Sequence, residues 1–300
     1  MQTHWHILGA GSIGCLWAYY LARAGHAVSL IVRDAALAGE QQLTLIRDGE
    51  HHQCTLQATH AGALTAIDNL LVCVKAPQTV AALDAVAHAI GDNTTLVLMQ
   101  NGIGNQQLVA SRFADNPVYA GITTEAALRM QPLTVEHTGS GLTQLGALGQ
   151  RQDAQLVNKL YCDLHCQLRP DIQAALWQKL VINCCINPLT ALYDCKNGEL
   201  ARHVEAKAQL ADIIHECRLV AEAAGFAEVL ANIDKQVSDV IALTADNSSS
   251  MRQDLHHQRN TEIDYLNGHI VRLGAMYHID TPVNRQLHEA IRSRHENTAE

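Results

Sequence analysis

The chain has 300 residues, 48% of them hydrophobic, with 30 acidic against 21 basic side chains and a formal charge of -9. That length predicts two domains, and a chain of this size buries about three-quarters of its unfolded surface without help from disulfides or metals. The acidic balance excludes a sequence-independent nucleic-acid binder, which needs a clustered positive field, and a polybasic membrane-surface protein.

No run approaches the ~18 apolar residues of a membrane span. The start, Met1-Gln2-Thr3-His4-Trp5-His6, lacks a basic segment followed by an apolar core, so no signal peptide is expected. The nine cysteines are odd in number and irregularly spaced, and Cys73 and Cys184 lie in apolar runs as small core residues. A reducing, cytoplasmic compartment is the expectation.

In chain order, Trp5 to Leu8 reads as a short strand ending in glycine, and Ile13 to Ala24 as a helix stopped by Gly25. Ala27 to Val32 is a β-branched strand, Leu70 to Val74 a buried strand, Val80 to Ile90 a helix, and Thr95 to Met99 a further strand. Val118 to Thr123 and Leu142 to Leu145 read as strands. This alternation implies a mostly parallel sheet with helices on both faces. At Arg169-Pro170-Asp171 the pattern changes, with Asp171 as a helix cap. Long helical patterns follow over Asp171 to Tyr193, Gly198 to Gly225, Ala227 to Leu243 and Met251 to His278. The expected architecture is an α/β, Rossmann-type dinucleotide-binding domain over 1–169 and an all-helical substrate domain over 170–300.

Gly9-Ala10-Gly11-Ser12-Ile13-Gly14 is a G-x-G-x-x-G between a strand and a helix, the context a dinucleotide fingerprint requires. Gly9 permits a sharp turn, Gly11 removes a side chain where a pyrophosphate approaches the backbone, and Gly14 permits close helix–strand packing. The helix N-terminus adds partial positive charge. At the end of the second strand stand Arg33 and Asp34. A guanidinium there suits a 2′-phosphate and favours NADP; an acidic residue in its place would favour NAD. Lys75 and Asn101-Gly102 each follow a strand, at the sheet edge where ligands of such folds bind; a surface lysine and a plain turn are the alternatives.

In the helical half, Lys179, Asn183 and Asn187 recur at i, i+4, i+8 and form one stripe on an otherwise apolar helix. Such polar groups need polar partners or a wet cleft. A structural network with Lys179 paired to a buried carboxylate is the alternative. Pro188 is expected to kink or end this helix just past Asn187. Asn197-Gly198 offers another amide or only a turn. Ser250-Met251-Arg252-Gln253 fits a capping box with Ser250 as N-cap, or a hydroxyl presented to an anion. Glu262 and Asp264 differ by about 200° around a helix, so only one can face a given cleft; periodicity does not choose between them. Cys162 and Cys166 bracket His165 but lack the second ligand pair of a zinc site, so no metal is expected.

The stretches Gly9–Gly14, Val74-Lys75-Ala76, Asn101-Gly102-Ile103-Gly104, Trp177 to Ala191, Asn197-Gly198-Glu199-Leu200, Ser249-Ser250-Met251 and Thr261 to Gly268 together resemble the ketopantoate reductase (2-dehydropantoate 2-reductase) family over essentially the whole length. The resemblance implies NADPH-dependent reduction of 2-dehydropantoate to (R)-pantoate, in the route to pantothenate and coenzyme A. It implies Lys179 as general acid and Glu262 as the carboxylate that contacts the nicotinamide ribose and organises the lysine. Asn101, Asn183, Asn187, Asn197 and Ser250 match substrate contacts. The glycine loop from Gly9 through Ala10, Gly11, Ser12 and Ile13 to Gly14, with Arg33, Lys75, Asn101, Ala127 and Glu262, matches cofactor contacts. A lysine ammonium beside the ketone oxygen is chemically apt, because it stabilises the charge that develops there and then donates a proton. A reductase of another branched 2-oxo acid and a non-catalytic NADP(H)-responsive binding protein are the other readings. The expected partner is a small 2-oxo acid, with no nucleic acid and no membrane; the sequence leaves monomer and homodimer open.

Overall fold

The computed structural model describes residues 2–296. Its contacts divide into two compact units: one runs through Gln100 and resumes over Asn105–Ile172, and the other joins Asn101–Gly104 to the chain from Gln173 onward. The division falls at Gln173 rather than Pro170 because Ile172 is packed on the sheet. A Cβ placed on Gly146 would lie 2.2 Å from that of Ile172.

The first unit contains β1 (His4–Leu8), α1 (Ser12–Arg23), β2 (Ala27–Val32), β3 (Gly39–Arg47), β4 (Glu50–His60), β5 (Ile67–Val72), α2 (Thr79–Val86) and β6 (Ile90–Leu98). It continues with α3 (Asn105–Arg112), β7 (Val118–Thr123), β8 (Ala126–Gln131), β9 (Thr134–Gly139), β10 (Thr143–Ala147), α4 (Leu156–Lys159) and β11 (Cys166–Leu168). All strands join one sheet in the order β11-β10-β7-β6-β5-β1-β2-β4-β3-β9-β8. From β7 through β4 the neighbours are parallel. Both faces of this parallel part are covered. Trp5, Ile7, Leu71 and Val97 face the core cluster around α1, whereas Leu8, Leu70, Val72, Leu96 and Leu98 face the one around Leu83, Val86 and Val109. Burial on both faces is why these strands read as unbroken apolar runs.

The sequence pattern missed β3, β4, β8, β9 and β11. In β4 only Leu56 and Ala58 are buried core residues, so its alternation carries little apolar signal. The hairpin signal was nonetheless present. Asp48-Gly49 joins β3 to β4, with φ of +53° and +81° and Arg47 opposite Glu50, the two-residue primed turn that Asp-Gly favours. The far strands have a function in the fold. Helix α1 is buried continuously from Gly14 to Leu21 and contacts β3, β4, β8 and β9 as well as β1 and β2, so Trp17, Tyr19 and Tyr20 all lie inside. The expected helix over Val80 to Ile90 is shorter, because the chain passes through a tight turn at Ala87–Ala89 into β6.

The second unit holds α5 (Ile172–Leu192), α6 (Val204–Ala223), α7 (Ile233–Leu243), α8 (Ser250–His256), α9 (Asn267–Tyr277) and α10 (Pro282–Glu296). The predicted helix from Met251 to His278 is broken into α8, a 3-10 turn at Ile263–Tyr265, and α9; Gln258 with φ +52° marks the break. The pattern over Gly198 to Gly225 likewise splits into a 3-10 turn and α6, and that over Ala227 to Leu243 into a 3-10 turn and α7. Helix α10 was missed because little beyond Leu287 and Ile291 along it is apolar and buried. No helix among the described residues is long and apolar enough to cross a membrane.

Pro188 does not end α5, which continues to Leu192. The missing N–H of Pro188 deprives the Cys184 carbonyl of its i+4 donor, and the side chain of Asn267 takes that place, Nδ2 donating to Cys184 O at 3.2 Å. Asn267 Nδ2 also donates to Asn284 Oδ1 at 2.9 Å, and Asn284 Nδ2 donates to Glu216 Oε2 at 2.7 Å. The Glu216 carboxyl further accepts from the backbone N–H groups of Val283 at 2.8 Å and Asn284 at 3.0 Å. These are the orphan donors of the α10 N-terminus. A buried side-chain chain therefore runs from the proline in α5, through α9, to α6 and α10. Replacing Glu216 with alanine leaves several buried donors unpaired and is expected to lower the unfolding free energy by about 3–5 kcal/mol, measured as a fall in urea midpoint at unchanged slope.

Candidate active site

Each unit contributes its own set of groups. In the first, the chain leaves β1 between β2 and β5, where the strand order reverses, the position at which open α/β sheets bind ligands. Gly9 has φ +110°, and a Cβ there would lie 2.6 Å from Val74 N, so the turn tolerates only glycine. A Cβ on Gly14 would lie 2.0 Å from Gly9 O. Gly11 differs: nothing lies within 4 Å of its would-be Cβ. Helix geometry leaves the N–H groups of Ser12, Ile13 and Gly14 without intrahelical acceptors. The N-cap Gly11 offers no side chain to cap them and no acidic residue stands in the first turn. Gly9, Ala10, Gly11, Ser12 and Ile13 are all partly exposed. Open space in front of unpaired donors fits a dinucleotide pyrophosphate.

Strand β2 stops at Val32, so Arg33 is the first residue beyond it. Its side chain is exposed. The Asp34 carboxyl is turned to local work: it accepts from Ala36 N at 2.9 Å and caps the turn Ala35–Leu37. Lys75 follows β5 and caps the turn Ala76–Gln78 with its backbone; its side chain is half-buried. Ala127 lies in β8 opposite His137 and packs on the same core cluster as Ala10 and Ile13. The neighbouring Glu125 is buried with His137, Oε2 to Nε2 at 2.8 Å, and His137 Nδ1 is 2.9 Å from Tyr20 OH. The hairpin that carries Ala127 is thus tied to α1.

In the second unit, α5 is buried at Leu180, Val181, Cys184, Cys185 and Ile186, whereas Lys179, Asn183 and Asn187 are partly exposed. The stripe therefore lies on the partly exposed side of this helix, with Gln178 and Ile182. Among the described residues, the amides of Asn183 and Asn187 make no side-chain hydrogen bond. Although some Lys179 surface is accessible, enough protein surrounds the ammonium that burial lowers its pKa to about 8, against the opposing attraction of Glu262.

The ambiguity between the two carboxylates is resolved by tertiary contacts. Glu262 Oε2 accepts from Asn101 Nδ2 at 3.2 Å and is the one that acts on Lys179. Asp264 turns away to His288, 2.5 Å from its Nε2. Asn101 reaches Glu262 because Asn101–Gly104 belongs to the helical unit, with Ile103 N donating to Tyr265 O at 3.2 Å. The capping assignment needs correction: Ser249, not Ser250, is the N-cap of α8, its hydroxyl accepting from Arg252 N at 3.1 Å. Gln253, expected to complete the box, instead donates to Ser248 O. Ser250 is exposed at the first position of α8. Asn197 is buried, with Nδ2 donating to Thr244 Oγ1 at 2.9 Å and Oδ1 without a partner among the described residues.

Residues 5–150 match the family model described as ketopantoate reductase PanE/ApbA, and residues 171–295 match the model of its C-terminal part. The chain belongs to the ketopantoate reductase family. It is 38% identical over 292 residues to the 2-dehydropantoate 2-reductase of Vibrio cholerae, covering 96% of each chain. Among solved structures, the PanE/ApbA family ketopantoate reductase of Ralstonia eutropha superposes with a TM-score of 0.90 at 30% identity, covering 99% of this chain and 100% of that one. A D-mandelate dehydrogenase, solved with NADH and anilino(oxo)acetate, superposes with a TM-score of 0.87 at 25% identity, covering 98% and 99%.

The glycine geometry separates two substitutions in this ketopantoate reductase homologue. Gly11→Ala meets no protein atom, so it is expected to leave the melting temperature within a degree or two while weakening dinucleotide binding by about tenfold or more. Gly14→Ala collides with backbone and is expected to destabilise the fold itself. Thermal melts with and without dinucleotide distinguish them.

Proposed function

We propose that this chain catalyses the NADPH-dependent reduction of 2-dehydropantoate to (R)-pantoate, with Lys179 as proton donor. The observation that carries this reading is the Lys179 ammonium on an apolar helix, under the influence of Glu262 and in one stripe with two amides that make no side-chain hydrogen bond among the described residues. NADPH, when bound, supplies the hydride that the ketone carbon receives. Gly9 to Gly14 and the start of α1 hold its pyrophosphate, and Lys75 and Ala127 add contacts along the same unit. Arg33, exposed just beyond β2, would meet the 2′-phosphate, a choice supported by Asp34 Oδ1 being engaged by Ala36 N.

On the other side of the reaction, the charge that develops on the ketone oxygen is met by the Lys179 ammonium, which then transfers its proton to that oxygen. Asn101, Asn183, Asn187, Asn197 and Ser250 bind and orient the substrate with neutral donors and acceptors, which add no charge to compete with the lysine. Glu262 holds Lys179 protonated against desolvation and contacts the nicotinamide ribose. A second reading is favoured by the likeness to D-mandelate dehydrogenase: reduction of an aryl 2-oxo acid. The amide-rich stripe argues for a hydroxylated substrate, because sites built to bond a hydroxyl discriminate strongly against analogues without it.

Turnover with 2-dehydropantoate, phenylglyoxylate and 2-oxoisovalerate, followed by loss of NADPH absorbance, decides between these; the highest kcat/KM is expected with 2-dehydropantoate. Lys179→Ala is expected to lower kcat by about 10²–10⁴-fold while NADPH binding persists, and a loss of less than about tenfold overturns the proton-donor role. The ammonium form is the active one in reduction, so kcat/KM is expected to hold below pH 8 and decline above it, as the pKa of about 8 requires. Glu262→Gln removes the charge that raises this pKa and moves the falling limb to lower pH. Arg33→Ala is expected to weaken NADPH by about tenfold or more, the worth of a charged hydrogen bond, and leave NADH nearly unchanged in parallel titrations.

A further inference from the structure

Thr190 lies in α5 three positions beyond Asn187 and is fully buried. A threonine inside a helix commonly returns its hydroxyl to the preceding turn, and here Oγ1 lies 2.9 Å from Ile186 O and 3.0 Å from Asn187 O. It also makes a bond that the helix does not require: its oxygen is 2.6 Å from Ser249 Oγ. Ser249 is itself buried, caps α8 through Arg252 N, and immediately precedes Ser250. Ser249 Oγ thus accepts from both the Thr190 hydroxyl and the Arg252 N–H within one buried cluster.

The segment that ends in this cluster is fastened at its other end to Asn197. Asn197 N donates to Asn247 O at 3.1 Å, Gly198 N to Ala245 O at 3.0 Å, and Asn197 Nδ2 to Thr244 Oγ1 at 2.9 Å. The Thr190 carbonyl in turn accepts from Cys195 N at 3.1 Å, on the approach to Asn197. Asn187, Asn197 and Ser250 are therefore set in register around one buried hydroxyl, although none of them touches the others through a side-chain bond among the described residues.

We propose that Thr190 is a positioning residue for the substrate side of the site: its hydroxyl locks Ser249, and with it the start of α8, against the part of α5 that presents Asn183 and Asn187. This inference rests on the proposed function above. The chemistry is that of a small polyfunctional acid, whose several polar groups must be met simultaneously by amides and a hydroxyl from separate elements. Loosening one element by a fraction of an ångström costs binding of that ligand and leaves the first unit's dinucleotide groups untouched.

The test is steady-state kinetics on Thr190→Val, which preserves shape and branching, and on Thr190→Ser, which preserves the hydroxyl. Thr190→Val is expected to raise KM for 2-dehydropantoate by about tenfold or more, the effect of orphaning a buried hydroxyl. The NADPH dissociation constant should stay within about twofold and kcat within about threefold, and Thr190→Ser should recover most of the lost KM. An unchanged KM in Thr190→Val overturns the proposal. So does a parallel shift of KM, kcat and NADPH affinity, which marks general loosening, or a failure of serine to rescue. If Thr190→Val does not fold, Ser249→Ala carries the same expectation and the same overturning results. Where wild-type protein reduces 2-dehydropantoate but the variants keep its KM, the positioning role alone fails; where the wild type does not reduce it, the proposed function fails and takes this inference with it.

Discussion

An ammonium group on a helix otherwise surrounded by apolar side chains is in tension with its surroundings. Desolvation favours loss of the proton, and the nearby Glu262 carboxylate favours its retention. The balance brings Lys179 to about 8, where it is both protonated and able to part with its proton near neutral pH. Contacts within the second unit surround this pair. Asn101 donates to the carboxylate, Asp264 is engaged by His288 instead, and Asn267 donates to the carbonyl that Pro188 leaves without its helix donor.

The first unit follows a separate logic built on backbone. Where β1 ends, one glycine turns the chain against Val74 N, another lies beneath the start of α1, and the one between them faces open space. A single missing side chain thus exposes a cluster of N–H donors that the helix cannot use. The strands beyond β4 are less conspicuous in sequence, yet they wrap α1 and hold the Glu125–His137 pair against Tyr20. The helix that aims those donors is therefore buried along most of its length.

Local pattern sufficed for elements whose cause is local. The glycine loop, the parallel strands buried on both faces, and the polar stripe of α5 were all readable because spacing alone places those residues on one turn, strand or face. Chain breaks within Met251 to His278 were not readable, since an apolar period continues through segments whose backbone departs from helix at Gln258. The Asp48-Gly49 turn carries a local signal, but the strands it joins have too few apolar residues to mark themselves by alternation. With consecutive serines from Ser248 to Ser250, the capping pattern matched one frame and the folded chain adopts the adjacent one. The winning hydroxyl is the one that also meets Thr190.

The sequence by itself determined a two-part α/β and helical chain, the glycine turn between β1 and α1, and the family, because each depends on residue types at short fixed spacing. Only the tertiary structure decided which carboxylate acts on Lys179, that Asn101–Gly104 joins the helical unit, and that Ser249 rather than Ser250 is held by Thr190. Those outcomes depend on groups far apart in the chain competing for the same partners, and the competition is settled by packing, which periodicity does not encode.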